Sequence, residues 1–549
     1  MSRFPAITAN GRAGRIAFVA LLALCRALGV GLAAIATRDI FSVLANGFAE
    51  LPLFSLFIIA GAGMMIAFFR WSERVVAEKL GQDYAAALRL RLFEHISRLP
   101  DSELSKRRTG GLSLRFVGDL SSVRSWISQG LTRLLSAAII IPAVGVILFY
   151  INQELALAAL APIIFGLVAI AVIGPALLPA HSRLRQQRSR LASDATERLT
   201  HVSELRLLGR FRRERQQLKS SNQDMISAAL QRRRRSSFIR VIPDVISGLA
   251  AAGVLGVALS QSISGADAAG TLAALGMLTQ TLRELASVWD RYCAWRAARA
   301  RCLALLEVRP MPKTVPSFQP EKNRSTGTQV SLSRVCHHSL KRIDAVAEPG
   351  QKIGITGPNG SGKTTLLKLI AGMERPMRGR ILLDQLSQIK WINSVNKRIV
   401  YVGTSSPILR GSLRKALTMG VSPRPDDTDI ETVARRFGLG PVLKRLDGLD
   451  GRISENGRNL SAGEVKRVLL ARAALSPADL LLVDELDQAL DKKGMRLIAE
   501  LIHKNEATVL VVTQNPKLLG SMDTVWSLEK GSLLVTGEEK AAADTATAG

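Results

Sequence analysis

Six stretches of the chain, 16–37, 51–69, 134–151, 155–178, 241–259 and 268–288, are apolar over lengths close to the roughly 20 residues a helix needs to cross a bilayer. The first is interrupted by Arg26 and the fifth carries Asp244 near its start. The sixth is the most polar, with Gln280, Arg283 and Glu284 inside it. Long polar stretches, 70–133 and 181–240, separate the second span from the third and the fourth from the fifth. They keep a helical period, as in Leu88, Leu92, Phe93, Ile96 and Leu99, and Pro100 and Gly110-Gly111 punctuate it. They therefore read as helical extensions of the spans. A further helix is predicted over 295–307, a linker rich in Pro, Ser, Thr and Lys over 308–328, and an Ala/Thr/Glu-rich tail over 537–549.

Lysine and arginine outnumber aspartate and glutamate 74 to 45, a net charge of +29. Such an excess fits nucleic acid, anionic lipid or membrane topology. Its placement decides. The short connections 41–50, 152–154 and 261–266 hold no Lys or Arg, whereas the long ones are dense in both, as at Lys106-Arg107-Arg108 and 232–235. The positive-inside rule then puts both termini and both long stretches in the cytoplasm, and no nucleic-acid partner is expected. A mean hydropathy of +0.17 over 549 residues agrees with a membrane protein. Cys25, Cys293, Cys302 and Cys336 form no CxxC pair, so neither a zinc site nor a disulfide is expected. The first apolar run is too long for a signal-peptide core and has no small-residue cleavage site, so it is expected to stay as a span.

The chemistry lies in the C-terminal third. Gly357-Pro358-Asn359-Gly360-Ser361-Gly362-Lys363-Thr364-Thr365 fits GxxxxGK[ST], with the strand-like 353–355 before it and the helix-like 366–370 after it. Such a loop wraps phosphates with backbone N–H groups at a helix N-terminus. Lys363 is expected at the β- and γ-phosphates of ATP, and Thr364 on Mg²⁺. Downstream, 480–483 reads as a buried strand ending in Asp484-Glu485, a metal-binding carboxylate followed by a base for water.

Between these motifs, Asn459-Leu460-Ser461-Ala462-Gly463-Glu464 precedes the helix-like 465–474. It resembles the LSGGQ signature of ABC ATPases, and Asp491 resembles that family's D-loop. The stretches 90–126, with Leu99-Pro100, Gly110-Gly111 and Asp119, and 197–215 look like the two intracellular loops of ABC exporters. The resemblance spans nearly the whole chain. It implies a multidomain membrane protein: an all-α six-helix transmembrane domain (1–307) and an α/β P-loop ATPase domain with a helical subdomain (329–536).

It also implies that two halves dimerise, with ATP held between the P-loop of one and the signature of the other. Coupling tips are expected near 112–123 and 207–214. Membrane lipid, an unidentified substrate and a bacterial inner membrane complete the expectation. Nothing resembles the N-terminal peptidase of leader-cleaving peptide exporters, and the spans exclude a soluble-type ABC ATPase.

The sequence departs from the family at three places. Thr404 stands where the Q-loop glutamine is expected, and Gln514 where the switch histidine is expected. No Phe, Tyr or Trp lies between Phe318 and Trp391 to stack on adenine, which leaves His337, His338 or Arg334 for that role. Two readings remain: an exporting half with its own working ATP site, or a poorly hydrolysing half that regulates an active partner.

Overall fold

A computed structural model describes residues 4–45, 52–106, 115–313, 327–393, 398–403, 406–487 and 490–536. The chain divides into two compact units, Met1–Ser97 with Arg107–Arg309, and Arg98–Lys106 with Pro310–Gly549. The second boundary falls inside the predicted linker. The short segment Arg98–Lys106 belongs to the second unit, which the sequence pattern did not suggest.

The first unit is helical. Five helices among the described residues are long and apolar enough to cross a membrane: Arg12–Ala45, Leu53–Ile96, Phe116–Ile151, Gln153–Leu199 and Phe211–Ser260. All outrun a bilayer, which takes about 30 Å of hydrocarbon or 20 residues of helix. The polar stretches are thus continuations of the spans, as their periodicity predicts. The stretch expected as a sixth span falls largely on the helix Gly265–Ala286, which is not one of these five and packs against Arg12–Ala45 and Phe211–Ser260. Its polarity has a local cause. Asp267 accepts from Arg38 at 2.5 Å, Glu284 from Arg70 at 2.6 Å, and Arg283 donates to Asp244 at 2.7 Å. Each charge is paired inside the unit, where an unpaired one would be costly.

Arg26 follows the same rule. It is buried in the Arg12–Ala45 helix and donates to Glu73 Oε2 at 2.7 Å, while Ser136 Oγ donates to Glu73 Oε1 at 2.5 Å. Replacing Arg26 alone strands the Glu73 carboxylate. Arg26→Leu is expected to destabilise the unit by about 3–5 kcal/mol, and Arg26→Met with Glu73→Met to recover most of that loss. Thermal unfolding of the full chain in nanodiscs measures both. Equal melting temperatures for wild type and Arg26→Leu would contradict the pairing.

The second unit is built on a six-stranded sheet. Its order is Ser532–Thr536, Thr524–Glu529, Lys352–Thr356, Thr508–Val512, Leu480–Asp484 and Ile399–Gly403. The last five strands run parallel, and Leu480–Asp484 and Thr508–Val512 are buried at every position. Such strands read as continuous apolar runs because both faces are covered. A four-stranded antiparallel sheet comprises Leu340–Ala347, Val330–His337, Arg378–Leu383 and Leu386–Ser387. A helical subdomain, including Leu413–Thr418, Asp427–Arg436, Gly440–Arg445 and Ala462–Leu475, packs Leu417, Ile430, Phe437, Leu443 and Leu469 into one core. Buried Arg472 fastens it by donating to the carbonyls of Ala416 and Pro407.

The helix Asp101–Ser105 is held in this unit by specific bonds. Asp101 N donates to Met373 O at 3.2 Å, Ser102 Oγ to Glu374 Oε2 at 2.9 Å, and Lys368 Nζ to Asp101 Oδ2 at 2.5 Å. Lys368 lies on the P-loop helix Lys363–Ile370. Among the described residues, the first-loop element tied to the nucleotide-binding fold is therefore 101–105, ahead of the expected tip at 112–123. Of the latter, 112–114 lie outside the described residues, and Leu120 and Val123 are buried in the helical unit. The second tip, near Leu207, is a turn at Gly209 (φ 65°) that exposes Leu207, Leu208 and Phe211. The tail 537–549 lies outside the described residues.

Candidate functional site

The register of the parallel strands brings their C-terminal ends to one edge. Val512 pairs with Ile355 and Asp484, and Gly403 with Asp484. The residues that follow these ends, Gly357, Gln514 and Glu485, therefore share one crevice, where ligands of open α/β sheets are held.

The loop 357–362 turns sharply. Gly357, Gly360 and Gly362 have φ of 143°, 80° and 103°, open to glycine and strained for other residues. A Cβ on Gly357 would run into the Leu528 carbonyl, and one on Gly362 would come within 2.8 Å of Ser339 Oγ. The backbone is thereby free to curl around a ligand. Lys363, 4% exposed, donates from Nζ to Gly357 O at 2.9 Å and Pro358 O at 3.0 Å, with Glu485 Oε1 at 3.9 Å. Ser361 Oγ is buried in the loop and bonds to no other group among the described residues. A buried hydroxyl and ammonium facing a glycine cradle fit a phosphate chain.

Thr364 Oγ1 donates to Asp484 Oδ1 at 3.1 Å, and Tyr401 OH donates to Asp484 Oδ2 at 2.8 Å. A hydroxyl and a carboxylate this close form the hard-oxygen pair that Mg²⁺ takes from protein. Glu485 has φ 50°, and its N–H donates to Val512 O at 3.1 Å. A non-glycine residue held there is strained, as side chains aimed at a reaction often are. Gln514 Nε2 donates to Asn359 Oδ1 at 3.1 Å, so the residue at the switch position already touches the P-loop. Thr404 lies outside the described residues. Tyr401 was missed by the sequence reading. Strand alternation places it, but only the register with Leu480–Asp484 shows that it reaches the carboxylate.

The signature residues form a helix start. Ser461 Oγ accepts from Glu464 N at 3.2 Å, and Glu464 Oε2 accepts from Ser461 N at 2.9 Å, a capping box. Arg445 donates to Glu464 and holds its carboxyl below the ordinary value. Leu460 is buried, Gly463 is half-buried, and Ser461 and Ala462 are exposed. Asp491 caps the helix Lys492–His503, accepting from Gly494 N at 2.8 Å and from Arg467 at 3.0 Å. Of the three candidates for adenine, His337 is buried, which removes its ring face from solvent. His338 and Arg334 are exposed, and the turn after His338 carries Ser339 against the P-loop. His338 is the best placed of the three.

A glycine cradle with an acidic strand end, joined in one chain to helices of membrane length, defines a membrane-bound nucleotide hydrolase. The ABC transporter transmembrane-region family matches residues 16–285, and the ABC transporter family matches 340–488. The chain belongs to the ABC transporter family, as an exporter-type half with fused membrane and ATPase domains whose ATP hydrolysis is coupled to transport.

Among its relatives, an ATP-dependent lipid A-core flippase of Desulfotalea psychrophila is 24% identical over 89% of this chain and 87% of its own. The mycobactin import ATP-binding/permease protein IrtB of Mycolicibacterium thermoresistibile is 29% identical over 74% and 72%. The glutathione/L-cysteine transport protein CydC of Escherichia coli is 26% identical over 87% and 85%. A bacterial Atm1-family ABC exporter with ATP bound superposes with a TM-score of 0.83 at 19% identity, covering 97% of this chain and 96% of that one, which shows a shared fold. The cargoes in these names differ, and each belongs to its own protein.

Proposed function

We propose that this chain exports its substrate across a bacterial inner membrane as one of two ABC halves, hydrolysing ATP slowly at its own P-loop. The meeting of Lys363, Thr364, Asp484, Glu485 and Gln514 at one sheet edge carries the reading. The loop 357–362 and Thr365 bind the phosphates, and Lys363 offsets charge on their outer oxygens. Thr364 and Asp484 hold Mg²⁺, which when bound supplies positive charge against the phosphates. Glu485 accepts the proton of the attacking water. The second half supplies its own Leu460–Glu464 equivalent from the far side, and Asp491 lies beside that contact. The exposed start of this chain's signature helix suits the same service to the partner's nucleotide.

Gln514 and Thr404 set the rate. Gln514 offers a donor and an acceptor but no positive charge. Thr404 is too short to reach the metal without a bridging water. Binding is retained while positioning of the attacking water is weakened.

Ser461→Arg tests the composite site, in the chain purified with whatever second half accompanies it. Turnover is expected to fall by about 10²–10³ while binding of a fluorescent ATP analogue persists. Unchanged turnover would overturn the shared site.

A further inference from the structure

The helical unit contains two charged cavities that ATP chemistry does not use. The larger, about 1370 Å³, is walled by the segment around 118–125 and the helices Leu177–Thr200, Phe211–Ser260 and Val288–Leu306. A site for one small molecule usually occupies about 300–1,000 Å³. Eight arginines and one histidine line it against two aspartates.

Both aspartates are already occupied. Asp119 accepts from Arg301 at 2.6 and 2.8 Å and also pairs with Arg185. Asp290 accepts from Ser236 and Arg240 at 2.5 Å each and from Arg232 at 3.1 Å, with His181 Nε2 at 3.0 Å. What remains is positive. Arg291 donates to Gln129 and Ser287 rather than to a carboxylate. Arg188 and Arg190 have no hydrogen bond or ion pair among the described residues. Burial first, then the charges of Arg133 and Arg240, bring Arg291 down to about 10, a sign of crowded like charge.

Topology alone asks only that basic residues stay on the cytoplasmic side. It does not gather them around one cavity, where they repel each other. Hydrogen bonds join the wall of the larger cavity to that of the smaller. Arg124 of the larger pairs with Glu78 at 2.8 Å, and Arg291 bonds Gln129 at 2.6 Å. Glu78 and Gln129 line the smaller cavity of about 440 Å³, together with Arg26, Arg70, Arg74 and Arg133.

We propose that the substrate is a multivalent anion, with two or more negative charges carried on carboxylate or phosphate groups, first held in the larger cavity by Arg188, Arg190 and Arg291. Guanidinium forks match both group types bidentately. A neutral or cationic substrate would leave the repulsion in place. The proposal rests on the export reading above and adds the substrate's class. The same chemistry is offered by a soluble polyanion and by an acidic lipid headgroup.

The test uses the full chain, with the second half that accompanies it, in phosphatidylcholine nanodiscs at fixed sodium chloride. The probes are tricarballylate, phosphatidic acid built into a second set of discs, and spermidine as the cationic control. Tryptophan emission is the readout, since Trp295 stacks on Trp126 at 5.3 Å on helices that line the cavity. A saturable response is expected to tricarballylate or to phosphatidic acid and not to spermidine. Tricarballylate alone identifies a soluble substrate class, and phosphatidic acid alone a lipid. Arg188→Glu with Arg190→Glu should weaken the response at least about 10-fold, as two charge-assisted bonds are lost, and the Lys pair should keep most of it. No response to either anion, an equal response to spermidine, or an equal response in the Glu pair would overturn the proposal. Probe-free ATP turnover of the wild type separates the two readings. Turnover without an anion response sinks only this proposal, and absent turnover sinks the export reading itself.

Discussion

Glu485→Gln is expected to lower ATP turnover by about 10²–10⁴ while leaving nucleotide binding intact. The substitution keeps the size of the side chain and removes its ability to take a proton. Among the described residues, the other polar groups at the sheet edge are engaged. Asp484 is engaged by Thr364 and Tyr401, and Gln514 by Asn359. Because the phosphates are still gripped by 357–363, the two halves should stay closed around unhydrolysed ATP. Single-turnover release of inorganic phosphate, measured beside binding of a fluorescent analogue, gives both quantities. Phosphate release at the wild-type rate would remove Glu485 from the role of base.

Much of this site was legible because its residues are consecutive. The P-loop fixes its own geometry through three glycines and a helix start, so Lys363 and Thr364 follow from the motif. Asp484-Glu485 was readable for a related reason: a fully buried parallel strand leaves a continuous apolar run, and its polar end marks the sheet edge.

What depended on pairing between distant segments was not legible. Tyr401 reaches Asp484 only through strand register, and Gln514 reaches Asn359 only because the strands that precede them lie together in the sheet. The sixth expected span reads as weak because Gln280, Arg283 and Glu284 lie inside it, whereas in the fold Gln280 donates to Glu284, Arg283 pairs with Asp244 and Glu284 with Arg70. The element 101–105 was missed because five residues carry too little periodicity. Its bonds to Lys368, Met373 and Glu374 are invisible before the fold is known. His337 shows the reverse error: a histidine upstream of the P-loop offers no ring face once it is buried.

The departures at Thr404 and Gln514 carry the other large effect. A histidine at the switch position can carry a positive charge toward the outer phosphate, and a glutamine in the Q-loop can reach the metal directly. Each missing contact of this kind costs about 10²–10³ in rate. The P-loop, Asp484 and Glu485 are all retained, so the lost rate should be recoverable without rebuilding the site. Per-site ATP turnover of the reconstituted chain, wild type against Thr404→Gln with Gln514→His, is the most direct measurement of this account. A slow wild type that the double substitution accelerates by about 10² or more is the predicted result. A fast wild type that the double substitution leaves unchanged would contradict it.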